Sequence, residues 1–183
     1  MAADLTTRLS NFLTVLGTGA VAPSLTGILS VNTTAVIAPI IGGEMMTYTL
    51  PANALASNGQ ALRVRAYGTI AGNIRAKTIQ FQWGGTNVMS QVLLVPPLSS
   101  NLQPAQWFFD VLIVRTGAAA QTAVTSFHQL LGGVAWIRDE VVARDIIATL
   151  AADETASIVV RCVAVVTDEG DVTQTGMIVE GLL

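Results

Sequence analysis

The sequence predicts an all-β chain, an antiparallel β-sandwich preceded by an N-terminal arm, and three observations carry that prediction. Leu62-Arg63-Val64-Arg65-Ala66-Tyr67 and Thr78-Ile79-Gln80-Phe81-Gln82-Trp83 alternate with a period of two, as strands with one dry and one wet face do. Asn58-Gly59, Ala71-Gly72-Asn73 and Gly84-Gly85 place turn chemistry between and after these runs. Similar short segments recur from Glu44 onward, at a spacing that favours a sandwich.

Residues 1–43 read as the arm and 44–183 as the sandwich domain, and 183 residues suit one domain with a core that needs no staples. In the arm, Leu5, Leu9, Phe12, Leu13 and Leu16 fall at helical spacings, with Asp4 placed to cap a short helix and Gly17 to end it. Threonines in the same stretch lower helix propensity, so an extended strand docked on a neighbour is the equal alternative. No charged residue occurs from Leu9 to Gly43. Thr, Ser, Asn, Gly and Pro23 nevertheless interrupt that segment too often for a membrane span or signal peptide to be expected.

Within the sandwich the candidate strands are 45–50, 61–70, 76–83, 87–95, 106–115, 121–131, 157–166 and 172–180. Asn58-Gly59 tolerates the positive φ of a tight hairpin, which predicts a hairpin closing there, and the later turns suit an antiparallel meander. Trp107, Phe109, Val111 and Ile113 alternate with Phe108, Asp110, Leu112 and Val114, so that strand is apolar on both faces and belongs at the centre of a sheet or at an interface. The stretch 138–150 suits a helix through Val142, Ile146 and Leu150, and a strand through its β-branched content; the extended reading is preferred.

Composition narrows the function. Cys162 is the only cysteine, which excludes an internal disulfide and a Cys-rich zinc site, and its apolar surroundings predict a buried thiol. Charged residues make up 11% of the chain, against about a quarter in an average soluble domain, so much of its surface is expected to be neutral or covered by partners. A net charge of −3 argues against direct nucleic-acid binding. Arg63, Arg65, Arg75 and Lys77 cluster in sequence and, with Leu5, Leu9, Phe12 and Leu16, are the candidate protein-contact residues. The plainer reading of the four cations is solvation, or intersubunit pairing with carboxylates.

Catalytic and cofactor patterns are weak. Gly17-Thr18-Gly19-Ala20-Val21-Ala22 has the outline of a dinucleotide fingerprint, but Pro23 falls early in the required helix and no acid lies at the ribose spacing. Ser126 and His128 share a strand face without an evident orienting acid or nucleophile elbow. Asp153-Glu154 and Asp168-Glu169-Gly170-Asp171 read as polar turns before they read as a hydrolase pair or a calcium loop. Trp83, Trp107 and Trp136 could stack sugars, although their strand context favours core or interface, and Asn32-Thr33-Thr34 matches a glycosylation acceptor with no secretory signal before it. No catalytic residue, metal site or cofactor is therefore expected.

One set of residues resembles a known family. Leu50-Pro51-Ala52-Asn53, Leu55, Asn58-Gly59, Leu62-Arg63-Val64-Arg65-Ala66 and Gly68-Thr69 are similar to a segment of tailed-bacteriophage structural proteins. The similarity continues through Asn73, Lys77-Thr78, Phe81 and Gly84-Gly85-Thr86, then Val114-Arg115-Thr116-Gly117 with Gln121, and Val172-Thr173-Gln174 with Val179-Glu180. Ile74-Arg75-Ala76 departs from the Asn-rich turn of the pattern, and residues 1–43 lie outside it. The resemblance implies a jelly-roll-like sandwich on a virion, specifically a capsid decoration or cement protein of the outer capsid surface. Its expected partners are the major capsid protein and itself, as a homotrimer, with no nucleic acid and no membrane. The alternatives are a glycan- or receptor-binding module of a head fibre or tail appendage displaying Trp83 or Trp136, and a carbohydrate hydrolase using Asp168, Glu169 or Asp171.

Overall fold

The computed structural model describes residues 26–39, 43–93, 105–130 and 146–182. These form eleven strands: β1 (Gly27–Asn32), β2 (Val36–Ile37), β3 (Gly43–Leu50), β4 (Ala61–Ile70), β5 (Lys77–Trp83), β6 (Thr86–Val92), β7 (Ala105–Gly117), β8 (Ala120–Leu130), β9 (Ile146–Leu150), β10 (Ile158–Val166) and β11 (Val172–Leu182). All eight predicted strands are present within a residue or two at the ends that are described. β9 agrees with the extended reading of its segment. Residues 26–39, counted with the arm, supply β1 and β2, both paired to β11.

A seven-stranded sheet in the order β1-β11-β4-β7-β8-β9, with β2 also on β11, packs on a four-stranded sheet in the order β3-β10-β5-β6. The pairs β5·β6, β4·β7, β3·β10 and β1·β11 nest inside one another and are all antiparallel. That nesting, with the chain switching sheets between successive outer strands, is a jelly roll; β8 and β9 widen one sheet beyond it.

The topology corrects two turns. Asn58-Gly59 does not close a hairpin, because β3 and β4 lie in different sheets; Gly59 adopts φ +89° in a corner between them. The connection of β4 to β5 likewise crosses sheets and is not part of a meander. Gly84-Gly85 does close a two-residue hairpin, with φ of +56° and +85° and Trp83 opposite Thr86, as twisted strands require.

Period-two alternation fills the core. Ile79, Phe81 and Trp83 on β5 point inward against Val64, Phe109 and Val111 of the larger sheet, all 1% exposed or less. Phe81 meets Phe109 edge-on with ring centroids 5.5 Å apart, and Trp107 stacks on Phe109 at 5.7 Å. Cys162 is buried as expected, and burial pushes its thiol up to about 12 despite a hydrogen bond from Gln174.

Two polar clasps close opposite ends of β4. At its start, Arg115 Nε donates to Glu154 Oε2 at 2.6 Å, and Arg115 Nη1 donates to Ala56 O and Asn58 Oδ1. Gln121 Nε2 donates to Glu154 Oε1 at 2.8 Å, and Asn53 N donates to Glu154 O at 2.7 Å. At its far end, Asn73 Nδ2 donates to Asp171 Oδ1 at 2.6 Å, and Lys77 Nζ donates to Asn73 Oδ1 at 2.5 Å and to Arg75 O at 3.0 Å. Asn53, Asn58, Asn73, Lys77, Arg115 and Gln121 all belong to the segments that carry the family resemblance, so those residues serve as stitches between loops.

Candidate functional site: the outer face of the seven-stranded sheet

The two outer faces differ in chemistry. On the four-stranded sheet, Thr78, Gln80 and Gln82 alternate outward, Gln82 Nε2 donates to Asn87 Oδ1, and Arg161 links Gln82 to Glu44. This face is a polar lattice with Val92, Val159 and Val165 set into it.

The seven-stranded face is apolar at its margins. Eleven large hydrophobic residues are exposed among the described residues, and strand register puts seven of them here: Ile28, Val31, Ile37, Tyr67, Val124, Leu130 and Leu182. Phe108 and Leu112 lie half-buried between them on β7. The strong apolar character of both faces of β7 follows: one face fills the core, and on the other Phe108 and Leu112 flank Asp110 in this surface.

Register organises the surface into rows. Gly176, Tyr67, Phe108 and His128 sit side by side across β11, β4, β7 and β8. A Cβ on Gly176 would lie 2.4 Å from Tyr67 Cζ, so the tyrosine ring occupies the space that any side chain there would need. The Phe108 and His128 rings are tilted at 6.0 Å. Beside this row is a hollow of about 460 Å³ lined by Tyr67, Gln106, Phe108, His128, Leu130 and Thr175. A second hollow, of about 420 Å³, shares Phe108 and His128 and runs to Val124 and Leu182; a third, of about 390 Å³, continues from Leu182 to Ile28 and Thr26.

Between the apolar margins lies an ionic quartet. Arg63 Nε donates to Asp110 Oδ1 at 2.9 Å, and Arg65 pairs with Glu180 at 2.5 Å, the two bridges crossing between β7, β4 and β11. Two cations meet two carboxylates, so the quartet carries no net charge. The hydrogen bond and charge of Asp110 hold the Arg63 guanidinium above its ordinary value.

The other sequence candidates fall elsewhere. Arg75 pairs with Asp168 and lies 3.7 Å from Asp171. Lys77 is 1% exposed, so its ammonium holds the loop and offers no surface to a partner; burial lowers its pKa, with Asp171 opposing and Arg75 adding to the shift. Leu5, Leu9, Phe12, Leu16 and Trp136 lie outside the described residues. Trp83 is 1% exposed within the core, which takes its ring away from any glycan. Ser126 Oγ and His128 Nε2 are 2.8 Å apart, while Asp110, opposite Ser126, is engaged by Arg63.

Burial alone would raise the Asp171 carboxyl. Hydrogen bonds from Asn73 and the Asp168 amide, with the charges of Lys77 and Arg75, outweigh it and hold the group below its usual range. No group of three or more His, Cys, Asp or Glu among the described residues could hold a metal ion. The signal sequence reasoning missed was the pairing of Arg63 and Arg65 with Asp110 and Glu180, 47 and 115 residues away.

No family model and no curated protein matches the chain. Among solved structures, it is similar to the CBM2 module of an evolved Dit from Lactobacillus casei BL23 phage J-1. That likeness has 13% identity and a TM-score of 0.35, covering 73% of this chain and 67% of that one. It is also similar to dimeric latent PorU from Porphyromonas gingivalis, at 11% identity and a TM-score of 0.35, over 90% of this chain and 14% of that one. At these values neither likeness bears on what the chain does.

Proposed function

We propose that the chain is a non-enzymatic structural protein of a tailed-bacteriophage virion, a decoration or cement subunit that grips neighbouring major capsid subunits on the outer shell. The observation that carries this reading is the broad, charge-neutral outer face of the seven-stranded sheet, whose chemistry suits coverage by protein. The ordered resemblance of residues 50–180 to phage structural proteins supports it independently. The polar clasps that use those same residues suit a rigid module, because stitched loops lose little further entropy on docking. Repetition across a symmetric shell would then turn modest contacts into avidity. A map of the purified particle tests the reading: density for this sandwich should bridge capsid subunits on the outer shell, and density confined to the tail would overturn it.

The ring-lined hollow favours one second reading, a glycan-binding module that uses Tyr67 and Phe108 in place of the buried Trp83. Glycan-array binding lost in Tyr67→Ala would support it, and an array without signal would remove it.

A further inference from the structure

We propose that the outer face of the seven-stranded sheet is where a second copy of this chain docks. The inference deepens the proposed function, which draws on the same face: it commits that face to a sister subunit and leaves the grip on the capsid to other surfaces, and because association in solution is read apart from the particle, the two readings fail separately.

Area makes the first argument. From β1 to β8 the face crosses five strands at about 4.8 Å spacing, and with its margins it measures about 24 Å by about 27 Å, roughly 650 Å². A standard specific interface takes about 800 Å² from each partner, so one such face on each of two copies reaches the lower part of that class. Only part of that area is apolar, the exposed hydrophobics standing around the ionic quartet, and covering that part is what favours docking.

Charge makes the second. A copy docking here would desolvate Arg63, Arg65, Asp110 and Glu180 together. Each already has its counter-ion on the same chain, so no uncompensated charge would be buried and none needs to come from the partner. A strongly basic or acidic partner would find no net charge to answer. A self-complementary contact between two neutral faces is the arrangement that an internally cancelled quartet permits.

The contrast with the other sheet makes the third. Its outward side chains bond to one another as Gln82–Asn87 and Arg161–Gln82, which suits water, and that face supplies a matched control. Val124 on the proposed interface is 40% exposed and Val159 on the polar face is 39% exposed, so a lysine at either position is equally tolerable to the fold.

Sedimentation equilibrium of the full-length chain at micromolar concentrations provides the test. The wild type should be a reversible oligomer, Val124→Lys and Leu182→Lys should each weaken association about 100-fold by placing a charge in the contact, and Val159→Lys should leave it unchanged. Circular dichroism should show all three folded. Raising salt to about 1 M should leave the oligomer intact, because screening has little to act on at a face with no net charge. A wild type that remains monomeric overturns the proposal, as does dissociation by Val159→Lys equal to that by Val124→Lys, or dissociation by salt.

Discussion

Replacing Glu154 by alanine would test the clasp that joins three loops at the start of β4. Glu154 and Arg115 have side chains only 7% and 16% exposed, and Glu154 also accepts from Gln121, which is fully buried. Removing one member of a buried ion pair costs about 3–5 kcal/mol, because the partner charge is left in a poor solvent. Arg115 retains Ala56 O and Asn58 Oδ1 in the variant, which places the expected loss near the low end, about 3 kcal/mol. For a chain of this length that corresponds to a melting temperature lower by about 10 °C. Urea unfolding followed by circular dichroism measures the loss, with an unchanged slope showing that the transition itself is the same. Glu154→Gln should fall between the two, since an amide oxygen still accepts from Gln121 while its amide nitrogen faces the guanidinium. If Glu154→Ala unfolds within about 1 kcal/mol of the wild type, the clasp is ornamental and the reasoning fails.

Two further perturbations address other parts of the fold. Asp171, held below its ordinary 3.8 in the folded chain, binds fewer protons folded than unfolded in acid, so its contribution is full above that value and is lost as pH falls through the lower folded one. Asp171→Asn should start less stable at neutral pH and lose less below about pH 4; urea melts showing the same acid slope for both proteins would refute this. Gly176→Ala would drive a methyl group into the Tyr67 ring and should cost about 1–3 kcal/mol. In the Tyr67→Ala background the same change should be nearly neutral, and an undiminished cost there would mean that the ring is not what the glycine accommodates.

Most strands were legible in the sequence because alternation is a local property: Leu62 to Tyr67 and Thr78 to Trp83 each declare their two faces without reference to any partner. Turn chemistry was legible as chemistry but not as topology. Gly84-Gly85 closes a hairpin, whereas Asn58-Gly59 turns a corner between sheets, and both need the same positive φ. β1 and β2 escaped notice inside a neutral, threonine-rich stretch where pairing with β11, about 145 residues away, supplies the order that local pattern lacks.

The candidate contact surface divided the same way. Phe108, Leu112 and Val114 already marked β7 as apolar on both sides, so the sequence by itself determined that one strand would have a dry face to spare. It also determined a sandwich, a buried Cys162 and a chain poor in charge. Only the tertiary structure decided that Arg63 and Arg65 are neutralised rather than presented, that Lys77 is spent inside a loop, and that seven of the eleven exposed large hydrophobics among the described residues share one sheet face. The reason is physical: burial and hydrogen-bond period are written residue by residue along a strand. Charge cancellation and surface contiguity arise between strands, and only the nested pairing of the jelly roll brings those strands together.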